Sequence, residues 1–292
     1  SIVDLSKEHW SRSVNRIDEL YRWMERDGIW VWKALWRTSD KPKVTRVGMR
    51  IFYPFFYHPT KRVYLDQEPD LVVGVHSLVN HIPLRVLRKG IGWHIPFVTV
   101  VTDMVTVHPT WCCPDVDLCI VSTEAARQQA IRLGMPPDRV QVVGQPVHLD
   151  FAANLGEKRE VRGRLKMDIE RPCVLIVGGG DGVGPMYEIA RTIAIRVPNA
   201  QLAIVTGHNP ALLQRLESVA WEIPTQIHGF VDNMPELMSA SDVLVTKAGP
   251  GTLAEAFIAG LPVILSSNIP GQEEGNVSYV LEHNAGAFAT DP

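Results

Sequence analysis

The chain has 292 residues, of which 46% are hydrophobic and 21% are charged, and its formal net charge is −3. This length predicts two domains of about 150 residues each, and a chain without a surplus of Lys and Arg is unsuited to nucleic acid as its main partner. No apolar run reaches about 20 residues, so the sequence predicts no membrane-spanning helix.

The first element with a functional signal is a tryptophan-rich helix over Gly28 to Arg37, GIWVWKALWR. An interfacial helix that dips into lipid headgroups is one interpretation, and a helix packed on the domain core is the other. Trp30, Trp32 and Trp36 cannot all lie on one helical face, so both interpretations stay open.

The rest of the first half predicts an α/β domain over residues 1–150. Four short apolar runs are typical of strands, at 71–75, 97–102, 118–122 and 140–143, with a helix over 123–133. The polar segment 151–170 carries no strand pattern and is interpreted as a linker. The four cysteines have no zinc-site spacing and are interpreted as buried thiols.

The second half predicts a donor-binding domain over residues 171–292. Apolar runs at 172–177, 201–206, 225–228, 242–246 and 262–266 alternate with helical segments at 186–195, 211–219, 234–240 and 252–258. This alternation is typical of a parallel sheet covered by helices on both faces. Ligands bind outside the carboxyl ends of such strands, where the glycine-rich segments of this chain fall.

The clearest motif is KAGPGT, residues 247–252, between a predicted strand and a helix. Backbone N–H groups of Gly249, Gly251 and Thr252 at a helix start suit a diphosphate. Glu255, one turn later, suits the two hydroxyls of a ribose. The alternative is an ordinary strand–turn–helix connection.

A second glycine loop, GGGDGVG, follows the strand at 172–177. Gly178, Gly179, Gly180 and Gly184 indicate a backbone that passes close to a ligand. The loop lacks the spacing of the dinucleotide fingerprint, which disfavours a dehydrogenase.

A third motif, GQEEGN over residues 271–276, follows the strand at 262–266. Gln272, Glu273 and Asn276 supply the donors and acceptors that sugar hydroxyls need. A solvated loop that caps the next helix is the alternative.

In this order the motifs resemble those of the monogalactosyldiacylglycerol synthases and related bacterial diacylglycerol glycosyltransferases. They are more distantly similar to those of the glycosyltransferase that makes the peptidoglycan lipid intermediate. The resemblance implies a GT-B fold, an α/β class with two Rossmann-like domains facing a cleft. It also implies inverting transfer of a hexose, galactose favoured, from a UDP-sugar to the 3-hydroxyl of diacylglycerol, with no active-site metal and no cofactor.

The resemblance also assigns donor contacts. Phe230 and Val231 are expected along the uracil, the KAGPGT loop at the diphosphate, and Glu255 at the ribose. Gln272 and Glu273, with Asn276 beside them, are expected at the hexose. The loop over 178–184 is expected to line the cleft near the diphosphate.

In the first half the resemblance implies contacts with anionic membrane lipids through Arg85, Trp111 and His108, and peripheral attachment to a bacterial membrane or a chloroplast envelope. His76 and Asp103 are candidates for a catalytic role near the cleft. For His76 and His108 a plain core or loop position is the alternative.

One departure concerns the general base, which the family carries on a GGGH-type loop that this sequence lacks. Residues 1–5 resemble the second strand of the family, and 292 precedes its closing helices, so the sequence is interpreted as truncated at both ends. Two other functions stay open: a UDP-GlcNAc-type transferase acting on a polyprenyl-linked precursor, and a non-catalytic nucleotide-sugar-binding protein.

Overall fold

A computed structural model of the chain describes residues 2, 3, 5, 23, 24, 28–182 and 184–291. The chain divides into two compact units. The first comprises Ser1–Gln145 with Pro270–Gln272, and the second comprises Pro146–Ile269 with Glu273–Pro292. The strand expected over residues 1–5 rests partly on Ser1 and Asp4, which lie outside the described residues.

The first unit contains a parallel four-stranded sheet in the order β1-β2-β3-β4. Its helices and strands in chain order are α1 (Ile29–Ser39), α2 (Pro42–Gln67), β1 (Val72–Gly74), α3 (His81–Arg85, continued by a π-helical turn over Val86–Ile91), β2 (Phe97–Val100), β3 (Leu118–Val121), α4 (Glu124–Arg132) and β4 (Val140–Val142). Short 3₁₀ turns at Ser77–Val79 and Pro137–Arg139 complete it.

The core of the first unit forms where strand side chains of one face meet the α3 segment. Phe97, Cys119 and Val121 are fully buried in the sheet, and Val86 and Leu87 cover them. All four cysteines are buried free thiols, as the sequence indicates. None of the helices in the described residues is both long and apolar enough to cross a bilayer.

The second unit contains a parallel six-stranded sheet in the order β10-β9-β8-β5-β6-β7. Its helices and strands in chain order are α5 (Asp150–Ala153), α6 (Lys158–Arg164), β5 (Cys173–Val177), α7 (Met186–Arg196), β6 (Gln201–Val205), α8 (Pro210–Glu217), β7 (Thr225–His228), α9 (Met234–Ala240), β8 (Val243–Lys247), α10 (Pro250–Ile258), β9 (Val263–Ser267), α11 (Glu274–Glu282) and β10 (Gly286–Phe288).

The strand order of this sheet reverses at β5. From β5 the chain adds β6 and β7 on one side, then crosses over and adds β8 and β9 on the other. The loops after β5 and β8 therefore leave the sheet in opposite directions, and a crevice opens between them. This switch point is the place in the second unit where the topology favours a ligand.

The second unit differs from expectation in two places. Residues 151–170, interpreted as a linker, carry α5 and α6 within the second unit. This polar segment packs through Arg162, whose side chain is only 4% exposed. The guanidinium of Arg162 donates to Ala240 O at 2.8 Å and to Asp242 Oδ2 at 2.6 Å. The short strand β10 was not predicted, because three residues that begin Gly-Ala carry too little pattern.

Asp242 joins three donors at the amino-terminal edge of the second sheet. Its carboxylate accepts from Lys158 Nζ at 2.6 Å, Arg162 Nη2 at 2.6 Å and the Cys173 N–H at 2.7 Å. Burial raises the pKa of Asp242, but these hydrogen bonds outweigh burial and hold the pKa below the ordinary value of an aspartate. A depressed folded-state pKa means that this stabilisation is present above the unfolded-state pKa and is lost as pH falls through the folded value.

We predict that Asp242→Asn lowers the free energy of unfolding by about 1–3 kcal/mol at pH 7, because a buried Arg162 donor loses its charged acceptor. The difference from wild type should shrink as pH falls below about 4. Denaturant unfolding at pH 7 and pH 3 measures both effects. Asp232→Asn, at an exposed aspartate of the same unit, is the control. An equal loss at both pH values would contradict the role of the carboxylate.

Candidate functional site

The two segments of the switch point both come close to the side chain of Lys247 through glycine backbones. The loop after β5 begins Gly178-Gly179-Gly180, and the segment after β8 is Ala248-Gly249. A Cβ atom built on Gly179 would lie 3.4 Å from Lys247 Cε, and one on Gly249 would lie 3.6 Å from the same atom. The lysine stem thus passes between the two backbones, and the predicted glycines of both motifs meet at one place.

Among the described residues, the start of α10 presents backbone amides without a partner at this place. Gly249 is the N-cap, Pro250 is the first helical residue, and no described side chain caps the helix end. The first amide of α10 to find a main-chain acceptor is that of Leu253, which donates to Gly249 O at 3.1 Å. The N–H groups of Gly251 and Thr252 precede it and have no intrahelical carbonyl. Together with the helix dipole they form a site suited to phosphate oxygens.

Part of the glycine richness serves packing between loops. Gly207, at a φ of +58°, lies so close to the preceding loop that a Cβ atom would be 2.2 Å from Gly180 O. Gly182, at a φ of +57°, would place one 2.1 Å from Thr206 O. Gly180 and Gly184 are exposed, so these two keep an accessible backbone. Gly182 and Gly207 thus serve packing between loops, and the ligand contacts predicted for Gly178, Gly179, Gly180 and Gly184 stay predictions.

An aromatic pair lies at the tips of β6 and β7. The rings of His208 and Phe230 stack with centroids 4.3 Å apart and an interplanar angle of 11°. Phe230 is 60% exposed, and the neighbouring Val231 is half-buried. Phe230 was predicted to lie along a uracil; His208 was missed, although its place directly after a strand and a glycine is the signal that marked Phe230.

Glu255 lies one turn into α10, half-buried. Burial raises the pKa of its carboxyl group. Within the part of the chain that the structure describes, this carboxylate makes no hydrogen bond or ion pair. A partly desolvated acceptor beside the helix start suits a diol.

Two of the predicted hexose contacts, Glu273 and Asn276, are buried and make hydrogen bonds within the second unit. Glu273 is 2% exposed; its Oε1 lies 3.0 Å from Lys247 Nζ and its Oε2 accepts the Ile269 N–H at 2.8 Å. Asn276 is 1% exposed and donates to Ala248 O at 2.8 Å. Both side chains hold segments beside the crevice, and the predicted hexose contacts at Glu273 and Asn276 stay predictions.

Gln272 belongs by its contacts to the first unit. Its Nε2 donates to Asp103 Oδ1 at 3.1 Å. The side-chain amide is half-buried, and the predicted hexose contact at Gln272 stays a prediction.

Across the second sheet the predicted donor residues form a row along the carboxyl edge. In spatial order the tips carry the aromatic pair (β7 and β6), the glycine loop (β5), Lys247 with the α10 start (β8), and the segment that leads to Glu273 (β9). Five neighbouring strands span about 19 Å at the usual strand spacing. The row therefore fits an elongated ligand with an aromatic end and an anionic middle.

The two catalytic candidates follow strands of the first sheet. His76 lies just beyond β1 and is exposed, and its Nδ1 accepts the Leu78 N–H at 3.3 Å, which favours the tautomer with the proton on Nε2. Asp103 follows β2 and is 7% exposed; its Oδ2 accepts from Trp111 Nε1 at 2.7 Å. Its other oxygen accepts from Gln272, and the catalytic roles of His76 and Asp103 stay predictions.

The structure corrects two of the three predicted lipid contacts. Trp111 is 4% exposed and belongs to the core of the first unit, so its indole cannot reach a membrane. His108 is 7% exposed, bonds Ser39 Oγ at 3.1 Å and Thr110 Oγ1 at 2.8 Å, and packs on Trp36. Burial lowers the pKa of His108 to about 4, so it is neutral and offers no charge to an anionic lipid.

Arg85 keeps an accessible position. It is exposed, with its guanidinium 4.3 Å from the centroid of the Tyr53 ring. It lines a cavity of about 630 Å³ whose other cations are Arg46, Arg50, Arg88 and Lys89.

The tryptophans of helix α1 differ in their surroundings: two pack inside the first unit, as the core interpretation predicts, and one is exposed. Trp32 donates to Pro270 O at 3.1 Å, and Trp36 packs against His108 and Gly271, all within the first unit. Trp30 is 70% exposed.

Comparison with protein families assigns both halves of the chain. Residues 1–147 match the family described as Monogalactosyldiacylglycerol (MGDG) synthase, and residues 173–288 match the Glycosyltransferase family 28 C-terminal domain. Over its full length the chain is 36% identical to the chloroplastic monogalactosyldiacylglycerol synthase of Spinacia oleracea and covers 57% of it. It is 37% identical to monogalactosyldiacylglycerol synthase 1 of Arabidopsis thaliana, also chloroplastic, and covers 56% of that protein. The chain thus spans about half the length of these relatives.

Solved structures with the same fold include three whose likeness covers 81% of this chain. They are the glycotransferase of kitacinnamycin (TM-score 0.58, 67% of that chain), HepE of Anabaena in complex with UDP (0.53, 68%) and MurG of Acinetobacter baumannii (0.53, 65%), each at 16% identity. Such likeness shows the fold alone, and it confirms the α/β GT-B class predicted from the motifs.

Proposed function

Because the chain belongs to the monogalactosyldiacylglycerol synthase family, we propose that it takes part in moving a hexose, galactose favoured, from a UDP-sugar to diacylglycerol with inversion. The row of strand tips in the second unit is the observation that carries the proposal. It supplies an aromatic pair, two glycine loops with a helix start, and a partly desolvated carboxylate, which match a base, a diphosphate and a ribose.

The diphosphate is the part of the donor that the geometry explains best. Gly251 and Thr252 present backbone N–H groups that need no rearrangement to bind an anion. The α10 dipole stabilises the bound anion by about 0.3–1 kcal/mol. As the hexose leaves, negative charge grows on the nucleotide, and fixed donors at that point favour the transition state more than the ground state. Backbone and side-chain groups are proposed to fill the role that a metal plays in other transferases.

The nucleoside is proposed to extend from the helix start toward the tips of β6 and β7. The Glu255 carboxylate accepts hydrogen bonds from the ribose hydroxyls. The exposed face of the Phe230 ring lies along the uracil, and the His208 ring stacks on the other face. An aromatic ring stacks on any base, so stacking alone does not select uracil. Hydrogen bonds from the backbone near Val231 are proposed to select it.

Transfer assays on diacylglycerol with UDP-galactose and UDP-glucose side by side test the function. We predict a galactolipid product, and a kcat/KM for Glu255→Ala lower by about 5- to 100-fold, because two hydroxyls lose a charged acceptor worth about 1–3 kcal/mol. A donor that carries 2′-deoxyribose should lower kcat/KM of the wild type but should lower that of Glu255→Ala only slightly further. The variant has already lost the contact with the 2′-hydroxyl.

Glu274→Ala, at an exposed carboxylate at the start of α11, is the matched control and should retain wild-type kinetics. Transfer to a polyprenyl-linked acceptor instead of diacylglycerol would favour the precursor-transferase alternative. UDP binding without transfer to either acceptor would favour a non-catalytic binding protein.

We also propose that the first unit docks on a membrane that contains anionic lipid, through an apolar stripe on α2. Val44, Val47, Ile51, Phe52 and Phe55 follow the 3–4 residue spacing of one helical face and are 47–74% exposed. Residues 29–65 hold eight Lys and Arg but only one acidic residue, Asp40, in a chain whose net charge is −3. An exposed apolar stripe within a cationic segment matches the two forces that hold interfacial helices, and the Arg85 cavity is the proposed headgroup contact.

Vesicle co-sedimentation tests the docking surface. We predict that Phe55→Asp lowers the bound fraction on vesicles with anionic phospholipid about tenfold, since one aromatic side chain contributes about 1.5–3 kcal/mol on leaving water. Ile195→Asp, at a 62% exposed apolar residue of α7, is the control. Equal binding by both variants, or equal binding of wild type to purely zwitterionic vesicles, would contradict the proposal.

A further inference from the structure

A nearly buried ion pair lies at the middle of the row, between Lys247 and Glu273. The two charged atoms are 3.0 Å apart, and the side chains are 20% and 2% exposed. The second oxygen of Glu273 accepts the Ile269 N–H at 2.8 Å, so the carboxylate has a fixed orientation. A buried pair of this kind adds little stability compared with apolar residues of the same volume, because both charges lose water. Stability alone therefore does not account for it.

The position of the lysine points to a ligand. Lys247 is the last residue of β8, and its Cε lies 3.4 Å from a Cβ position at Gly179 and 3.6 Å from one at Gly249. Its ammonium thus lies at the crevice of the switch point, beside the start of α10. The carboxylate contacts it from the buried side, and 20% of the lysine side chain stays open to solvent.

We propose that Lys247 is a catalytic residue that contacts the β-phosphate of the donor, and that Glu273 is a positioning residue that acts through Lys247. This inference rests on the proposed UDP-sugar site and deepens it. In the transfer step the bond between the anomeric carbon and the β-phosphate oxygen breaks, and its electron pair stays on that oxygen. The acceptor hydroxyl oxygen bonds the same carbon and gives its proton to a general base. Lys247 stabilises the charge that the β-phosphate gains.

The affinities for uridine, UMP and UDP, measured by calorimetry on the whole chain, distinguish contacts with the nucleoside, the α-phosphate and the β-phosphate. We expect Lys247→Met to weaken UDP binding about 10- to 100-fold, the size of a charge-assisted contact, and to change uridine binding less than about threefold. The affinity for UMP should fall less than the affinity for UDP, because Lys247 is proposed to contact the β-phosphate, which UMP lacks. Lys247→Arg should recover part of the UDP affinity, which a purely structural loss would not predict.

The role of Glu273 is tested in the Lys247→Met background. Glu273→Gln alone should weaken UDP binding, but added to Lys247→Met it should leave both the UDP affinity and the ratio of UDP-galactose to UDP affinity unchanged. The double variant should unfold at a higher temperature than Lys247→Met, since no unpaired buried charge remains. A further fall in the UDP-galactose to UDP ratio would instead show that Glu273 contacts the hexose, and would overturn its positioning role.

Lys158→Met is the matched control. Lys158 is also ion-paired, with Asp242 at 2.6 Å, but that pair lies at the opposite end of β8. Loss of UDP affinity in both lysine variants, or in neither, would overturn the proposal for Lys247. If wild type itself does not bind UDP, the proposed function fails as a whole, which distinguishes that result from failure of the lysine assignment.

Discussion

The reversal of strand order at β5 is the constraint on which the rest of the second unit depends. Because β6 and β8 lie on opposite sides of β5, the segments after β5 and β8 diverge and leave a gap at the carboxyl edge. The backbone amides at the start of α10 face no carbonyl of their own helix. A sheet with sequential strand order would have covered this edge with its connections. The crevice and its unpaired donors thus follow from topology before any side chain is considered.

Side chains around the crevice hold its shape in advance of a ligand. Asn276 fixes Ala248 O, and Glu273 binds both Lys247 and the Ile269 N–H. On the other side Asn209 donates to Gly182 O and caps α8 through the Leu212 N–H. Groups fixed in this way lose little entropy when a ligand arrives, and they keep their dipoles aimed at the place where charge develops. The polar residues nearest the loops therefore serve mainly as support.

The sequence predicted the strands of the second half closely, because continuous apolar runs that end in glycine have few alternatives in a parallel sheet. It also placed KAGPGT at a helix start, which the structure confirms. Residue type alone did not reveal burial: Trp111 and His108 carry suitable chemistry, yet their polar atoms are satisfied inside the protein. Lys247 was overlooked for the converse reason, since its importance comes from a partner 26 residues away in sequence.

The most direct measurement is a structure of the chain in complex with UDP. The account predicts phosphate oxygens within hydrogen-bond distance of the Gly251 and Thr252 N–H groups, with the base toward Phe230 at the tip of β7. A nucleotide bound elsewhere, or a bound UDP whose phosphates face solvent while the start of α10 stays closed against protein, would contradict it.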